Sequence, residues 1–267
     1  MKLILCMKWG SKYPAAYVNI LYASVARNIT GPFRFICMTD DPTGLRQEIL
    51  VHPIPDLGCE IPPDVPGMWR KTVLWSANLC GETGPALFID LDVVITGNLD
   101  GFFEFGEPND VILARNPVRP FERLGQSSVF RFPIGGHTYM LDDLRADPVG
   151  VSRKYRFEQR YTTKCIRPGI RFWPRGWVAH FRFHCLGGLL TRYLRPARLP
   201  SAAKIVIFPG GPKPEGAIVG RWYPELPRVG ALTHLTDPSS RKPGQAWRAH
   251  ARRYLLPVRW VAEHWRE

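Results

Sequence analysis

The sequence predicts an α/β fold, a mostly parallel central sheet flanked by helices, and three stretches carry that expectation. Lys2 to Lys8 and Phe33 to Thr39 are short apolar runs. Between them Tyr17, Ile20, Leu21, Ser24 and Val25 recur at helical spacing, after the loop from Trp9 to Pro14, whose proline suits a helix start. Strand, helix, strand in this rhythm needs a crossover, and a crossover makes the two strands parallel. The third stretch, Ala86 to Ile95, is rich in Val and Ile, as a strand buried on both faces should be.

That third run contains two carboxylates, Asp90 and Asp92. A strand interior does not accept unpaired charge cheaply, so the two belong where the strand ends. In open α/β sheets the carboxyl ends of strands face the ligand crevice. Two hard oxygen donors with coordination positions left open suit Mg²⁺ or Mn²⁺ bridging to substrate phosphates. The alternative is that Asp90 caps a turn and Asp92 lies in an exposed loop.

Composition narrows the classes. With 267 residues, 45% hydrophobic residues and nine tryptophans, the chain can bury a substantial core, and 26 prolines imply many irregular connections. No apolar run approaches the ~18 residues of a spanning helix. The apolar run at Met1 to Lys8 is too short for a signal peptide and reads as strand one. Six cysteines lie scattered without a C-x-x-C pair, which suggests neither a zinc site nor a disulfide framework and favours a reducing cytoplasm. A formal charge of +13 calls for a polyanionic partner: nucleic acid, anionic lipid or a phosphorylated substrate.

The segment from Phe88 to Asp100, Phe-Ile-Asp-Leu-Asp-Val-Val-Ile-Thr-Gly-Asn-Leu-Asp, resembles the metal-binding segment of GT-A glycosyltransferases, most of all the glycogenin and lipopolysaccharide galactosyltransferase group. The resemblance implies a GT-A-like, Rossmann-like fold and an enzyme that transfers a sugar from a nucleoside diphosphate donor, with UDP expected, to a saccharide or lipid-linked saccharide acceptor. It implies Mn²⁺ or Mg²⁺ held by Asp90 and Asp92. It places the base and ribose at the loop after strand one, with Trp9 and Lys12, and at the turn after strand two, with Asp40. Each of these is equally readable as an ordinary turn or core-packed residue.

Further on, residues 53–67 read as a proline-rich surface loop, and Met68 to Cys80 has helical spacing. Lys71, with Arg70 beside it, stands where the family places a basic residue toward the diphosphate, although either could be a solvated charge. Asp110–Ala114 and Ser127–Phe132 read as strands. Gln126 and Ser127 occupy the place of an Asn-Ser-Gly segment that touches the donor sugar, with asparagine absent. A helix is expected within 135–147. Glu158 and Gln159 then stand where the family has Asp-Gln facing the reacting carbon, where an oxygen stabilises developing positive charge. Phe172–Trp177 reads as an edge strand, and His180, Arg182 and His184 follow it, for packing or acceptor contact.

Lys204–Phe208 reads as a last strand leading into Pro209-Gly-Gly-Pro-Lys-Pro214. This resembles the family's His-x-x-Gly-x-x-Lys-Pro signature, with Gly210 allowing close backbone approach and Lys213 placing a charge on a phosphate oxygen. The signature histidine falls at Ile207, which cannot ligate, and His234 is the replacement expected. A catalytic domain over 1–220 and a basic, aromatic extension over 221–267 are expected, the extension forming amphipathic helices broken at Pro257. That extension either lies on an anionic leaflet on the cytoplasmic side or packs on the catalytic domain. Two competing classes are a nucleic-acid-binding protein, for which no signature is present, and an inactive GT-A scaffold.

Overall fold

The computed structural model describes all 267 residues. Ten strands occur along the chain: β1 Lys2–Lys8, β2 Phe33–Thr39, β3 Leu50–His52, β4 Gly84–Ile89, β5 Val93–Ile95, β6 Ile112–Arg115, β7 Gly125–Ile134, β8 Arg171–Phe172, β9 Val178–His180 and β10 Ile205–Ile207. The chain divides into two compact units. Unit 1 comprises residues 1–19, 29–91 and 99–174, and unit 2 comprises 20–28, 92–98 and 175–267. The structural boundary in the second half therefore falls after residue 174, not after 220 as the composition suggests.

Unit 1 holds a seven-stranded sheet in the order β3-β2-β1-β4-β7-β6-β8. β1 is parallel to both β2 and β4, with Lys8 beside Thr39 and Leu5 beside Phe88. The expected parallel core is thus present, and one strand reverses it. β7 runs antiparallel to β4 and β6, with Ile89 opposite Val129. The start of β7 therefore lies at the same sheet edge as the carboxyl ends of β1, β2 and β4. Residues 15–28 form the expected helix.

Residues 86–95 do not make one strand. β4 ends at Ile89, and the chain re-enters a strand only at Val93, in the sheet of unit 2. The break coincides with the two carboxylates. Met68 to Cys80 also departs from expectation: only Trp69–Trp75 is helical, as a 3-10 helix. Its aromatic side chains are the reason, because Trp69 and Trp75 are both buried, Trp75 against Phe132 at 5.3 Å and Trp69 against Tyr161 at 5.9 Å. The tighter winding brings residues three apart onto one face.

An arginine is the largest fully buried side chain of this unit. Arg131, in the middle of β7, donates to the carbonyls of Phe102 (3.3 Å), Phe103 (3.0 Å) and Glu107 (2.5 Å). It closes the carbonyl end of the short helix Gly101–Glu104, which no following turn would satisfy.

Unit 2 is organised on the three-stranded sheet β5-β10-β9, with β10 antiparallel to β5 and parallel to β9. Phe181 stacks on Phe208 at 4.4 Å, and Val94, Val206, Leu255, Val258 and Val261 share that core. The tail enters this core instead of forming a separate extension. Trp260 donates its indole N–H to the Ala197 carbonyl at 3.0 Å, and the Val258 amide donates to Ala217 at 3.0 Å. The helices Trp247–Ala251 and Arg259–His264 flank Pro257 as expected, but Tyr254 and Leu255 in the connection between them and Val261 on the second helix are buried in protein, while Trp247 on the first stays exposed. No helix of the chain is long and apolar enough to cross a membrane. All six cysteines are free.

Two consequences are measurable. Replacing Arg131 with Met leaves the Phe103 and Glu107 carbonyls without donors, and a loss of about 3 kcal/mol is expected from urea unfolding midpoints. Burial, with Arg182 and His184 adding to it, lowers the His180 imidazole from 6.5 to about 4. A depressed imidazole binds its proton in the unfolded chain first, so stability is undiminished above pH 6.5 and falls as pH drops toward 4. The contribution of His180 reaches about 3 kcal/mol by pH 4, and His180→Gln should flatten the stability profile over that interval by a comparable amount.

Candidate functional site

The sheet of unit 1 collects five of the sequence-selected residues into one hydrogen-bonded network. Asp90 ends β4, and its amide donates to the Ser128 carbonyl at 2.8 Å, which fixes the backbone where the strand stops. Its carboxylate takes the Lys71 ammonium at 2.5 Å. Lys71 is buried on the 3-10 helix, lies 4.9 Å from the centre of the Phe88 ring, and donates to the Ser127 carbonyl at 3.3 Å. The Ser127 hydroxyl donates to the Glu158 carboxylate at 2.9 Å, and the other oxygen of Glu158 accepts the Met68 amide at 3.0 Å. Glu158 is the first residue of the helix Glu158–Cys165, a position that the helix dipole favours for a carboxylate.

Gln126 belongs to the same corner with its amide group spoken for. Its oxygen accepts the Ser128 amide and its nitrogen donates to the Ser128 hydroxyl, both at 2.7 Å. Gln159 is half-buried next to Glu158, and its carbonyl accepts the Thr163 hydroxyl at 2.6 Å. Of the pair, Glu158 is the residue with an anchored side chain.

At the ends of β1 and β2 the loops are tied together. The exposed Asp40 carboxylate accepts the Gly10 amide at 3.0 Å. Lys8, 4% exposed, donates to the Asp41 carbonyl at 3.0 Å. The Thr43 hydroxyl and amide, followed by Lys8, hold the exposed Asp41 carboxyl below its ordinary value. Trp9 is half-buried and packs on the core of the unit, and Lys12 is exposed, 5.1 Å above the Tyr13 ring. Lys8 and the Met68 amide carry contacts that sequence reasoning did not single out. For Lys8 the signal was there, a lysine closing an apolar strand. For a backbone amide there was none.

Unit 2 supplies the second aspartate and its lysine. Asp92 is 8% exposed and is ion-paired with Lys213. The Asp92 carbonyl accepts the Phe208 amide at 3.0 Å, which seats the residue at the head of the loop 209–214. In that loop Gly210 has φ +77° with open space where a Cβ would stand, so left-handed backbone conformation and not crowding selects glycine there. Lys213 caps the helix Pro214–Val219.

His234 does not act as the expected third ligand. Its ring stacks on His250 at 3.8 Å, and each imidazole shares its Nε2 with the other's backbone carbonyl, at 3.0 and 2.7 Å. Burial lowers the pKa of His234. No group of three or more His, Cys, Asp or Glu side chains able to hold a metal exists in the chain. Ile207 is buried in β10, paired with Val93 and His180. What fits a divalent cation is the chemistry of the two carboxylates, hard monodentate donors whose remaining partners would be water and phosphate oxygens.

An ion pair this enclosed is most costly when half of it is removed. Lys213→Met should destabilise the free protein by more than the double change Asp92→Asn with Lys213→Met, and the cycle should give a coupling of about 1 to 3 kcal/mol from thermal or urea unfolding.

No family model matches the sequence, and no curated protein sequence matches it. Solved structures do. The galactosyltransferase LgtC, in complex with donor and acceptor sugar analogues, superposes with a TM-score of 0.58 at 12% identity, covering 98% of this chain and 99% of that one. The glycosyltransferase GlyE of Streptococcus pneumoniae TIGR4 gives 0.55 at 13% identity over 97% of this chain and 66% of its own. Mouse xyloside xylosyltransferase 1 gives 0.50 at 12% identity over 78% of this chain and 98% of its own. At such identities the likeness is one of architecture, and the chain has the mixed α/β, GT-A fold of these glycosyltransferases.

Proposed function

We propose that this protein is a glycosyltransferase that moves a sugar from a nucleoside diphosphate donor, UDP-linked, to a saccharide or lipid-linked saccharide acceptor at the cytoplasmic face of a membrane. The observation that carries this is the pairing of both motif aspartates with lysines that the diphosphate reading independently selects: Asp90 with Lys71 and Asp92 with Lys213. In the free protein each ammonium neutralises a carboxylate. A divalent cation would be held by Asp90 and Asp92, which would leave Lys71 and Lys213 available to the phosphate oxygens of the donor. Charge stays balanced in both states, which keeps the exchange inexpensive in a poorly hydrated site.

Mn²⁺ or Mg²⁺, held by Asp90 and Asp92, would supply Lewis-acid neutralisation of the diphosphate leaving group. Lys213 adds a mobile positive charge as that group departs. Glu158, held by Ser127 and the Met68 amide, keeps a fixed negative charge in the donor corner, where a cation-like glycosyl centre is stabilised. Gln159, without such anchoring, is the neighbour free to turn toward the sugar. Asp40 and Trp9 are read as ribose and base contacts, with Lys12 at the rim.

Thermal shift with nucleotides tests the proposal. UDP with Mn²⁺ should stabilise the protein by ~2.7 kcal/mol at a hundredfold excess over Kd, and neither alone should reach that value. Asp92→Ala should abolish the effect of Mn²⁺. Lys213→Ala should lower kcat/KM for sugar-nucleotide hydrolysis by roughly 10²-fold or more. No stabilisation by any nucleotide, with or without metal, would overturn the reading.

A further inference from the structure

Between β6 and β7 of unit 1 the chain makes a loop, Asn116-Pro-Val-Arg-Pro-Phe-Glu-Arg-Leu124, that leads straight into Gln126 and Ser127. Its base is closed by the Asn116 amide on the Leu124 carbonyl at 2.9 Å, and the Asn116 side-chain oxygen accepts the Val118 amide at 2.9 Å. At the apex the Glu122 amide donates to the Arg119 carbonyl at 3.1 Å, so Pro120 and Phe121 are the central residues of a β-turn. Proline suits the first of those positions, while the second is ordinarily given to small polar residues. Phe121 is fully exposed there, with Val118 more than half exposed on the same loop.

The ring is exposed, yet the loop that carries it is held firmly. Arg160 donates two of its nitrogens to the two oxygens of Glu122, both at 3.2 Å, a fork that fixes direction as well as distance. Arg123 donates to the Ile170 carbonyl at 2.7 Å and lies 5.1 Å from the centre of the Phe172 ring. The Gly125 amide donates to the Thr163 hydroxyl at 2.9 Å. Both sides of Phe121 are thus fastened to the helix Glu158–Cys165, and the two prolines of the loop restrict its backbone further. Arg160 follows Glu158 by two residues, ~3 Å along the helix axis. The turn therefore stands at the end of the helix that begins with Glu158 and Gln159.

A rigidly mounted aromatic ring that supports no core is suited to a flat ligand. The face of the ring is electronegative, and the axial C–H groups on one face of a pyranose present a complementary positive surface of similar size. The residues around it in the chain, Arg119, Glu122 and Arg123, are polar groups of the kind that bond sugar hydroxyls. A protein partner needs a wider apolar patch than one phenylalanine and one valine. A nucleic-acid strand needs a track of free cations beside the aromatic, and here Arg119 and Arg160 both face Glu122, at 4.0 and 3.2 Å.

We propose that Phe121, held out by the 116–124 loop, is a stacking platform for a pyranose ring of the saccharide acceptor. The sugar's identity as an acceptor rests on the transferase reading above, whereas the contact between ring and sugar does not. Phe121 binds and orients and takes no part in the chemistry.

Saturation-transfer NMR of the full chain tests it, against the methyl glycosides of glucose, galactose, mannose and N-acetylglucosamine together with lactose and maltose. Wild type should saturate the ring C–H protons of at least one of these sugars. Phe121→Ala should bind that sugar roughly five- to tenfold more weakly, and Phe121→Trp should keep the affinity. Phe121→Leu should behave like the alanine variant, which separates stacking from plain apolar contact. Because the side chain is fully exposed, the melting temperature should be the same in all three variants. Saturation of no sugar, equal binding by Phe121→Ala, or full rescue by leucine would each overturn the proposal. So would binding of a single-stranded oligonucleotide, in place of any sugar, that is lost in Phe121→Ala. The thermal shift by UDP with Mn²⁺ separates the two readings. Sugar bound through Phe121 without any nucleotide effect leaves the saccharide site standing and the transferase reading refuted; a nucleotide effect with sugar binding indifferent to Phe121 does the reverse.

Discussion

The chain passes from one sheet to another across three residues, Asp90-Leu91-Asp92, and the electrostatics of that passage constrain everything around it. Both carboxylates are largely withdrawn from water, and a carboxylate in that state must be paired or protonated. The protein pairs each within its own unit, Asp90 with Lys71 and Asp92 with Lys213. Lysine suits this better than arginine would. Its ammonium is a single point charge on a flexible stem, which can leave a carboxylate and find a phosphate without breaking a planar fork. Under the proposed exchange, an arginine in either place would hold its carboxylate through a planar fork and give it up less readily.

From the Asp90–Lys71 pair the order of unit 1 spreads outward. Lys71 is fixed because its helix is pinned by Trp69 and Trp75, and its second contact, the Ser127 carbonyl, belongs to the strand that runs antiparallel to β4. That reversal brings the amino end of β7 level with the carboxyl end of β4, and the Ser127 hydroxyl then reaches Glu158. A wholly parallel sheet would have placed Gln126 and Ser127 at its opposite edge. The single reversed strand is therefore what lets residues more than sixty positions apart share one corner.

Unit 2 meets a different demand. Its core is small, and the aromatic and aliphatic residues of the tail complete it, which spends Tyr254, Leu255, Val261 and much of Trp260 and Trp265 on packing. The arginines between them cannot follow into the core and collect at its surface. Much of the amphipathic patterning near the C-terminus thus has an internal cause, although Trp247 stays exposed there; the other exposed apolar side chains of this unit lie around residues 183–194, at Val219 and on the helix 231–236.

The alternation of apolar runs with helical spacing determined the α/β class, the β1–helix–β2 unit, the strands near 112, 129 and 205, and the Asp-x-Asp break, because periodicity and the cost of burying charge are local properties of the chain. The choice of Lys71 and Glu158 was legible in the same way only through resemblance. What tertiary structure alone decided was partnership: that each aspartate keeps its own lysine, that Gln126 turns back on Ser128, that His234 stacks on His250 instead of ligating, and that the tail helix faces inward. Those outcomes depend on which side chains of distant segments arrive at the same place, and no spacing within a segment encodes an arrival.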